Sequence, residues 1–531
     1  MNGKATWRRG GFLALAVFAL ATLGAGAGQS ARNSIYTQSA SSTLVDGTTD
    51  SVVNIDPAAS YDLGSQTVQY EIFQRLLESG PGGLTPHPVL ATKCGFKGNL
   101  KTFACSLRHG VKFHNGHVMT SADVKWSFDR VQKIKDPSGI YTLLADLKSV
   151  STTGKYGVVF HLIAPQATFP QHLTTGAAMI VPKGSYPFNK ARPNTSAQYG
   201  TGPYQLVKYT PGQQAVFKKW KGYWGTPAKT QNLIIRYYTK SSTMKLALQR
   251  GDVDMAFPGT NFTPTELVSL RSAKGIKVHV GNGASIRYLV LNTTMAPTNK
   301  LGVRKAIAYL MPRATIASRV YHGLVKPLYT MVAAGLPGHV NSFQTLYGSS
   351  PSIAKARAAL KAAGASTPVD ITVWYTPSHY GDASADEYAE IQRALQAGGL
   401  FKVTLKTAEW ATYSKTLGTQ YGAFQLGWFP DYVDPENYLL PFYPSCKDCN
   451  FTSNGYKNAK VDSLMAREQA TKSLTKRIAI IKQVQGIVAK DAPIIPYWQA
   501  PMIAVSRTNV QGIDKTLDPT FIMRFYLVSK S

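Results

Sequence analysis

Residues 369–374, 386–397 and 401–405 read in turn as strand, helix and strand. Two strands joined through a helix pair side by side in parallel, since no hairpin connects them. A parallel sheet is covered on both faces, so this segment commits the chain to helices packed on a sheet. The alternation recurs. Strands are expected at 52–55, 233–238, 252–257, 286–291, 423–428 and 494–498. Helices are expected at 65–77, from Thr120, at 244–249, from 303 up to Pro312, and at 473–490. Thr120 can cap its helix, with Asp123 three residues on as in a capping box. Val124, Phe128 and Val131 form its buried stripe. No internal repeat is present. The fold class is α/β, and 531 residues exceed one core, so two or three domains are expected.

Residues 423–438, AFQLGWFPDYVDPENY, concentrate the chemistry. A short strand places Phe424, Leu426 and Trp428 on one face and ends at Pro430. The following loop carries Asp431, Asp434 and Glu436 among Trp428, Phe429, Tyr432 and Tyr438. Carboxylates among aromatics at a strand end suit capture of a cationic group. The same residues also make an ordinary turn with solvated acids and a core tryptophan.

Lys plus Arg number 58 against 28 Asp plus Glu, a net charge of +30. Such a balance points to nucleic acid, an anionic envelope or an acidic habitat. The basic residues are dispersed, and groups such as Lys218, Lys219 and Lys221 are short. No nucleic-acid motif accompanies them, so a solvated cationic surface facing an anionic cell wall is the better reading. Arg8 and Arg9, the short apolar run 12–23 and Ala25-Gly26-Ala27 form a cleavable signal peptide over residues 1–27. The run is too short to span a bilayer. No cysteine follows it to carry a lipid. The four cysteines fall into local pairs. Cys94 and Cys105 flank a hairpin that turns at Gly98-Asn99, and Cys446 and Cys449 form a CxxC in a loop. Zinc or redox chemistry competes with disulfides for the CxxC, but two further zinc ligands are not spaced for it. In an exported chain both pairs are expected as disulfides. His109, His114 and His117 match no metal-ligand pattern and are expected as surface or turn histidines.

Several blocks together resemble one family, the extracytoplasmic solute-binding proteins of ABC transporters, family 5, of the oligopeptide, dipeptide and nickel type. They are LRHGVKFHNG at 107–116, TSADV at 120–124, GTGPY at 200–204, GYW at 222–224 and GDVD at 251–254. YLVLN at 288–292, VRKAI at 303–307, Gly427-Trp428 with DYVDP at 431–435, and PIIP at 493–496 follow in the same order. Asn115 stands where the family usually has Asp. The resemblance implies a two-lobed periplasmic-binding-protein-like fold with a hinge and an extra third domain. The base lobe would be 35–66, 200–285 and 493–531, the extra domain 67–199, and the second lobe 286–492. The hinge would cross near Ile286 and Ala492, and the lobes would close over ligand.

The resemblance further implies a receptor that captures short peptides and delivers them to ABC permease subunits. A nickel chelate, an oligosaccharide or an opine-like molecule is the alternative solute. An enzyme is disfavoured because no GxSxG elbow, HExxH helix or phosphate loop is present. An adhesin would rest on the basic charge alone. Within the resemblance Asp431 matches the carboxylate that meets a peptide ammonium, and Trp428 would wall a side-chain pocket. Tyr432 and Asn292, the latter closing the 288–292 block, complete the candidate ligand residues. No cofactor or metal is expected. The protein is expected to act as a monomer, without nucleic acid, in the periplasm or on the outer face of the cell membrane or wall.

Overall fold

A computed structural model describes residues 42–81, 83–445 and 450–531. The expected leader and the Cys446–Cys449 pair lie outside those residues. No described helix is long and apolar enough to cross a membrane.

The chain opens with β1 (Thr43–Thr48) and α1 (Leu63–Ile72). A separate antiparallel sheet follows, built from β2 (Ala91–Phe96), β3 (Thr102–Leu107), β4 (Leu147–Thr153) and β5 (Gly157–Leu162). Its order is β2-β3-β5-β4, and α2 (Ser121–Ile134) packs on it through Val124, Phe128 and Val131. The main sheet then resumes with β6 (Tyr204–Thr210), β7 (Gln214–Lys219), β8 (Asn232–Tyr237) and β9 (Met255–Ala256). β10 (Ile276–Leu291), β11 (Val369–Tyr375), β12 (Phe401–Thr407), β13 (Ala423–Trp428) and β14 (Ile494–Arg507) complete it. The order across this mixed sheet is β12-β11-β13-β10-β14-β9-β1-β8-β7-β6. α3 (Ala383–Gln396) joins β11 to β12, and α4 (Leu474–Asp491) precedes β14.

The βαβ expectation holds: β11 and β12 pair in parallel from Val369–Phe401 to Tyr375–Thr407. Val369, Ile371 and Val373 meet Tyr388, Ile391 and Leu395 of α3 in one apolar core. Separate cores lie under the β2–β5 sheet and around β1, β7 and β8. Thr120 stands at the N-cap of α2 as expected, and Asp123, three residues on, accepts its backbone N–H and hydroxyl at 2.8 and 2.9 Å.

Other expectations need correction. Residues 52–55 form no strand, because the Ser65 hydroxyl takes the N–H groups of Val53 and Asn54. The first strand is β1, inside the Ser/Thr-rich lead. α1 starts earlier, capped by Asp62, and stops before the extended Phe73, so Leu77 falls in a short strand instead. The expected strands at 286–291 and 494–498 are the ends of β10 and β14, which run much further. The remainder of β10 carries glycines and polar residues, which hid its extended form. His114 sits in a turn, one of the two expected placements, and is buried there. Its ring bonds the Gly202 carbonyl at 3.1 Å, ties the 113–117 turn to 200–202, and burial lowers its pKa to about 4.

Cys94 and Cys105 are directly opposed in β2 and β3 and are joined by a disulfide. The closed loop is short, so the chain-entropy model assigns the bond about 2–3 kcal/mol. Alkylation of the unfolded, unreduced protein should leave both thiols unlabelled. Cys94→Ser with Cys105→Ser should lower stability within that bound; full labelling of the wild type would contradict it.

Candidate functional site

β13 lies between β10 and β11, and all six of its residues are buried. Its even alternation therefore marks no solvent face, only two packed ones. At its end Trp428 packs edge-on against Phe442 and Phe451, with ring centroids 5.0 and 5.6 Å away. The indole Nε1–H donates to Asn437 Oδ1 at 3.0 Å. The same Asn437 oxygen takes the Asp431 backbone N–H at 3.0 Å, and Asn437 Nδ2 donates to Asp431 Oδ2 at 3.1 Å. One buried amide thus ties the strand end to the carboxylate of Asp431.

The other oxygen of Asp431 accepts from the hydroxyl of Tyr61, which precedes α1 and is 370 residues away in sequence. Burial raises the Asp431 carboxyl to about 6, against the opposing hydrogen bonds from Tyr61 and Asn437. Among the described residues no cationic side chain pairs with it; its side-chain partners are a hydroxyl and an amide.

The loop beyond is held from below. Asp434 caps the turn Pro435–Tyr438, accepting the Glu436 N–H at 2.9 Å. Its carboxylate also receives Arg477 of α4 in a two-pronged bond at 2.7 and 3.1 Å. Tyr432 donates to Glu436 Oε2 at 2.6 Å, and its ring lies 5.0 Å from that of His172. Phe429 meets Phe521 edge-on at 5.2 Å. Segments remote in sequence therefore converge on this one loop.

The structure brings Trp428, Asp431 and Tyr432 together and leaves Asn292 elsewhere. Ile286 pairs with Trp428 and Leu291 with Ala423, so Asn292 stands beside the opposite end of β13. Six residues of strand separate it from Ile286, about 20 Å. Its side chain is spent on Thr294 and on the Gly418 carbonyl, an Asx-type turn. Sequence reasoning did not single out Tyr61, Asn437 or Arg287. Asn437 lies inside the 423–438 stretch, but an amide in a loop carries no signal of its own. Arg287 lay one place before a noted block, among many cations. Nothing local distinguishes Tyr61, whose role depends on a partner brought by the fold.

Arg287 of β10 lies opposite Gly427 of β13. Its guanidinium carbon is 3.7 Å from the ring centre of Tyr380, 5.1 Å from Trp498 and 5.8 Å from Phe429. Behind these rings the buried carboxylate of Glu387 accepts from Tyr321 (2.8 Å), Trp498 (2.7 Å), Gln425 (3.1 Å) and Tyr497.

Comparison with known proteins agrees with this architecture. The Dipeptide-binding protein of Escherichia coli (strain K12) is 26% identical over 473 residues, covering 83% of this chain and 86% of that protein. The solved structure of the ABC transporter-associated periplasmic binding protein DppA from Helicobacter pylori, in complex with peptide STSA, superposes with a TM-score of 0.79 at 23% identity. It covers 92% of this chain and 98% of its own. NikA from Brucella suis, in complex with Fe(III)-EDTA, gives 0.80 at 21% identity, covering 92% of this chain and 100% of its own. These structural likenesses show the fold. The family model for bacterial extracellular solute-binding proteins, family 5, matches residues 85–448. With most of its length matched by that model, the chain belongs to the bacterial extracellular solute-binding proteins of family 5, a family of binding proteins and not of enzymes.

Proposed function

We propose that the protein is the substrate-binding component of an ABC importer and captures short peptides outside the cytoplasm. The observation that carries this reading is Asp431: a partly buried carboxylate, raised by burial, whose described side-chain partners are all neutral. A peptide ammonium supplies the missing charge. The peptide-binding relative at 26% identity supports the choice of solute over a metal chelate. Trp428 and Tyr432 frame the position.

On this reading the base lobe is 35–66, 200–285 and 493–531, the extra domain 67–199 and the second lobe 286–492. β10 and β14 are the crossings, and the register between them shifts at Gly281–Ser285. Tyr61 and Asp431 come from different lobes, so a ligand held at Asp431 gains from closure. The protein works as a monomer at the outer face of the membrane or in the periplasm, and permease subunits receive the closed form. Native mass spectrometry of the purified protein tests the reading: a co-purified peptide of a few residues is expected. A chelate or sugar found instead would overturn it.

The site should also show a defined pH dependence. The carboxylate of Asp431 must be ionised to hold an ammonium, and its pKa in the free protein is about 6. Affinity should stay level from about pH 6 up to the α-amino pKa of about 7.7–8.0, and decline on either side. At pH 5 binding should be about tenfold weaker than at pH 7. Calorimetry across this range checks it; an acid limb that is unchanged in Asp431→Asn would assign the titration elsewhere.

A further inference from the structure

Arg287 is 7% exposed, yet its guanidinium makes no hydrogen bond or ion pair to any described residue. Its Nε is buried without a partner. Three aromatic faces compensate part of the charge, but rings do not satisfy five N–H donors. The nearby buried carboxylate of Glu387 already accepts four hydrogen bonds from the ring hydroxyls, indole and amide around it. Arg287 is held in place all the same. A Cβ built on Gly427 would lie 1.8 Å from Nη1, so the guanidinium crosses the β13 backbone where only glycine leaves room.

We propose that Arg287 is the anion-binding residue of the ligand site and takes the carboxylate at the ligand's carboxyl end. This rests on the peptide reading and deepens it. The planar fork of a guanidinium matches a carboxylate, and the surrounding rings keep water from competing. The placement also bounds ligand length. Arg287 pairs across from Gly427, and Asp431 is four residues further along the chain. That path is at most about 14 Å beyond a cross-strand step of about 5 Å. An extended ligand therefore needs no more than about five residues to reach both charged groups. The pair selects short zwitterions, with the ammonium at Asp431 and the carboxylate at Arg287.

Alanine oligomers of two to five residues, each as free acid and as carboxyl-terminal amide, test this by calorimetry. Wild type should prefer acid over amide by about 30-fold or more. Arg287→Gln should abolish that preference by weakening the acid alone, while the amide binds as before and reports an intact fold. Arg287→Lys should keep part of the preference. Gly427→Ala should lose it with the arginine still present, because its methyl group displaces Nη1. An undiminished preference in Arg287→Gln, or equal loss of acid and amide, overturns the assignment and leaves the peptide reading standing. A wild type that binds both forms equally overturns it without any variant. A wild type that binds none of the oligomers overturns the assignment and the peptide reading together.

Discussion

Asp431→Asn should weaken binding of a free peptide by about 30-fold or more and leave the fold intact. Asn preserves size and can still bond Asn437 and Tyr61, the two side chains that hold Asp431. It removes only the charge. An ammonium buried without its counter-charge typically costs about 2–5 kcal/mol, which is the source of the fold-change. The amino-terminally acetylated peptide is the decisive companion ligand. Wild type should reject it, and Asp431→Asn should discriminate far less between the two forms. Asp434→Asn is the contrast. Its carboxylate is committed to Arg477 and to the Glu436 N–H, so ligand affinity should change less than in Asp431→Asn. Equal affinity of Asp431→Asn and wild type for free peptide would reduce the residue to a turn acid. If no peptide binds wild type, the chelate or sugar reading moves ahead.

What the sequence disclosed depended on range. The α/β class, the β11-α3-β12 unit and the capping of α2 were legible because periodicity and capping residues are local signals. The loop after β13 was legible because carboxylates and aromatics cluster within a dozen residues. Asn292 was ambiguous: a residue closing a strand block reads equally well as a ligand contact or a turn, and in the structure its side chain bonds Thr294. Tyr61 and Arg287 were silent because each is defined by what stands opposite. Tyr61 acquires its role from Asp431, and Arg287 from Gly427 and three rings on other segments. The lengths of β10 and β14 were hidden for a related reason. The glycine-containing part of β10 and the run past Trp498 in β14 pair with each other on either side of the Gly281–Ser285 shift, a long-range contact that no local signal announces.

Arg477→Met should destabilise the ligand-free protein by about 3–5 kcal/mol, the cost of removing one partner from a buried ion pair. Arg477 is set among three buried acids. It donates to both oxygens of Asp434 and, through Nε, to Glu468 Oε1 at 2.5 Å. Burial works against its charge, but Asp434 and then Glu468 outweigh that and raise its pKa. Burial likewise lifts the carboxyl of Glu468 to about 7, opposed by Arg477. Glu436 is pushed up by burial, then by Glu468 and Asp434, and its Oε1 has no partner. A carboxyl raised from 4.5 to about 7 on folding gives stability that is complete below 4.5 and lost as pH rises through 7. Without Arg477 these acids bind protons more tightly still. The deficit of Arg477→Met should therefore be largest at pH 8 and shrink toward pH 5. Urea unfolding of wild type and variant at both values measures it. A deficit under about 1 kcal/mol at pH 8 would show that the cluster does not anchor the loop. A large deficit that is independent of pH would instead place the loss in altered packing, since packing contacts bind no proton.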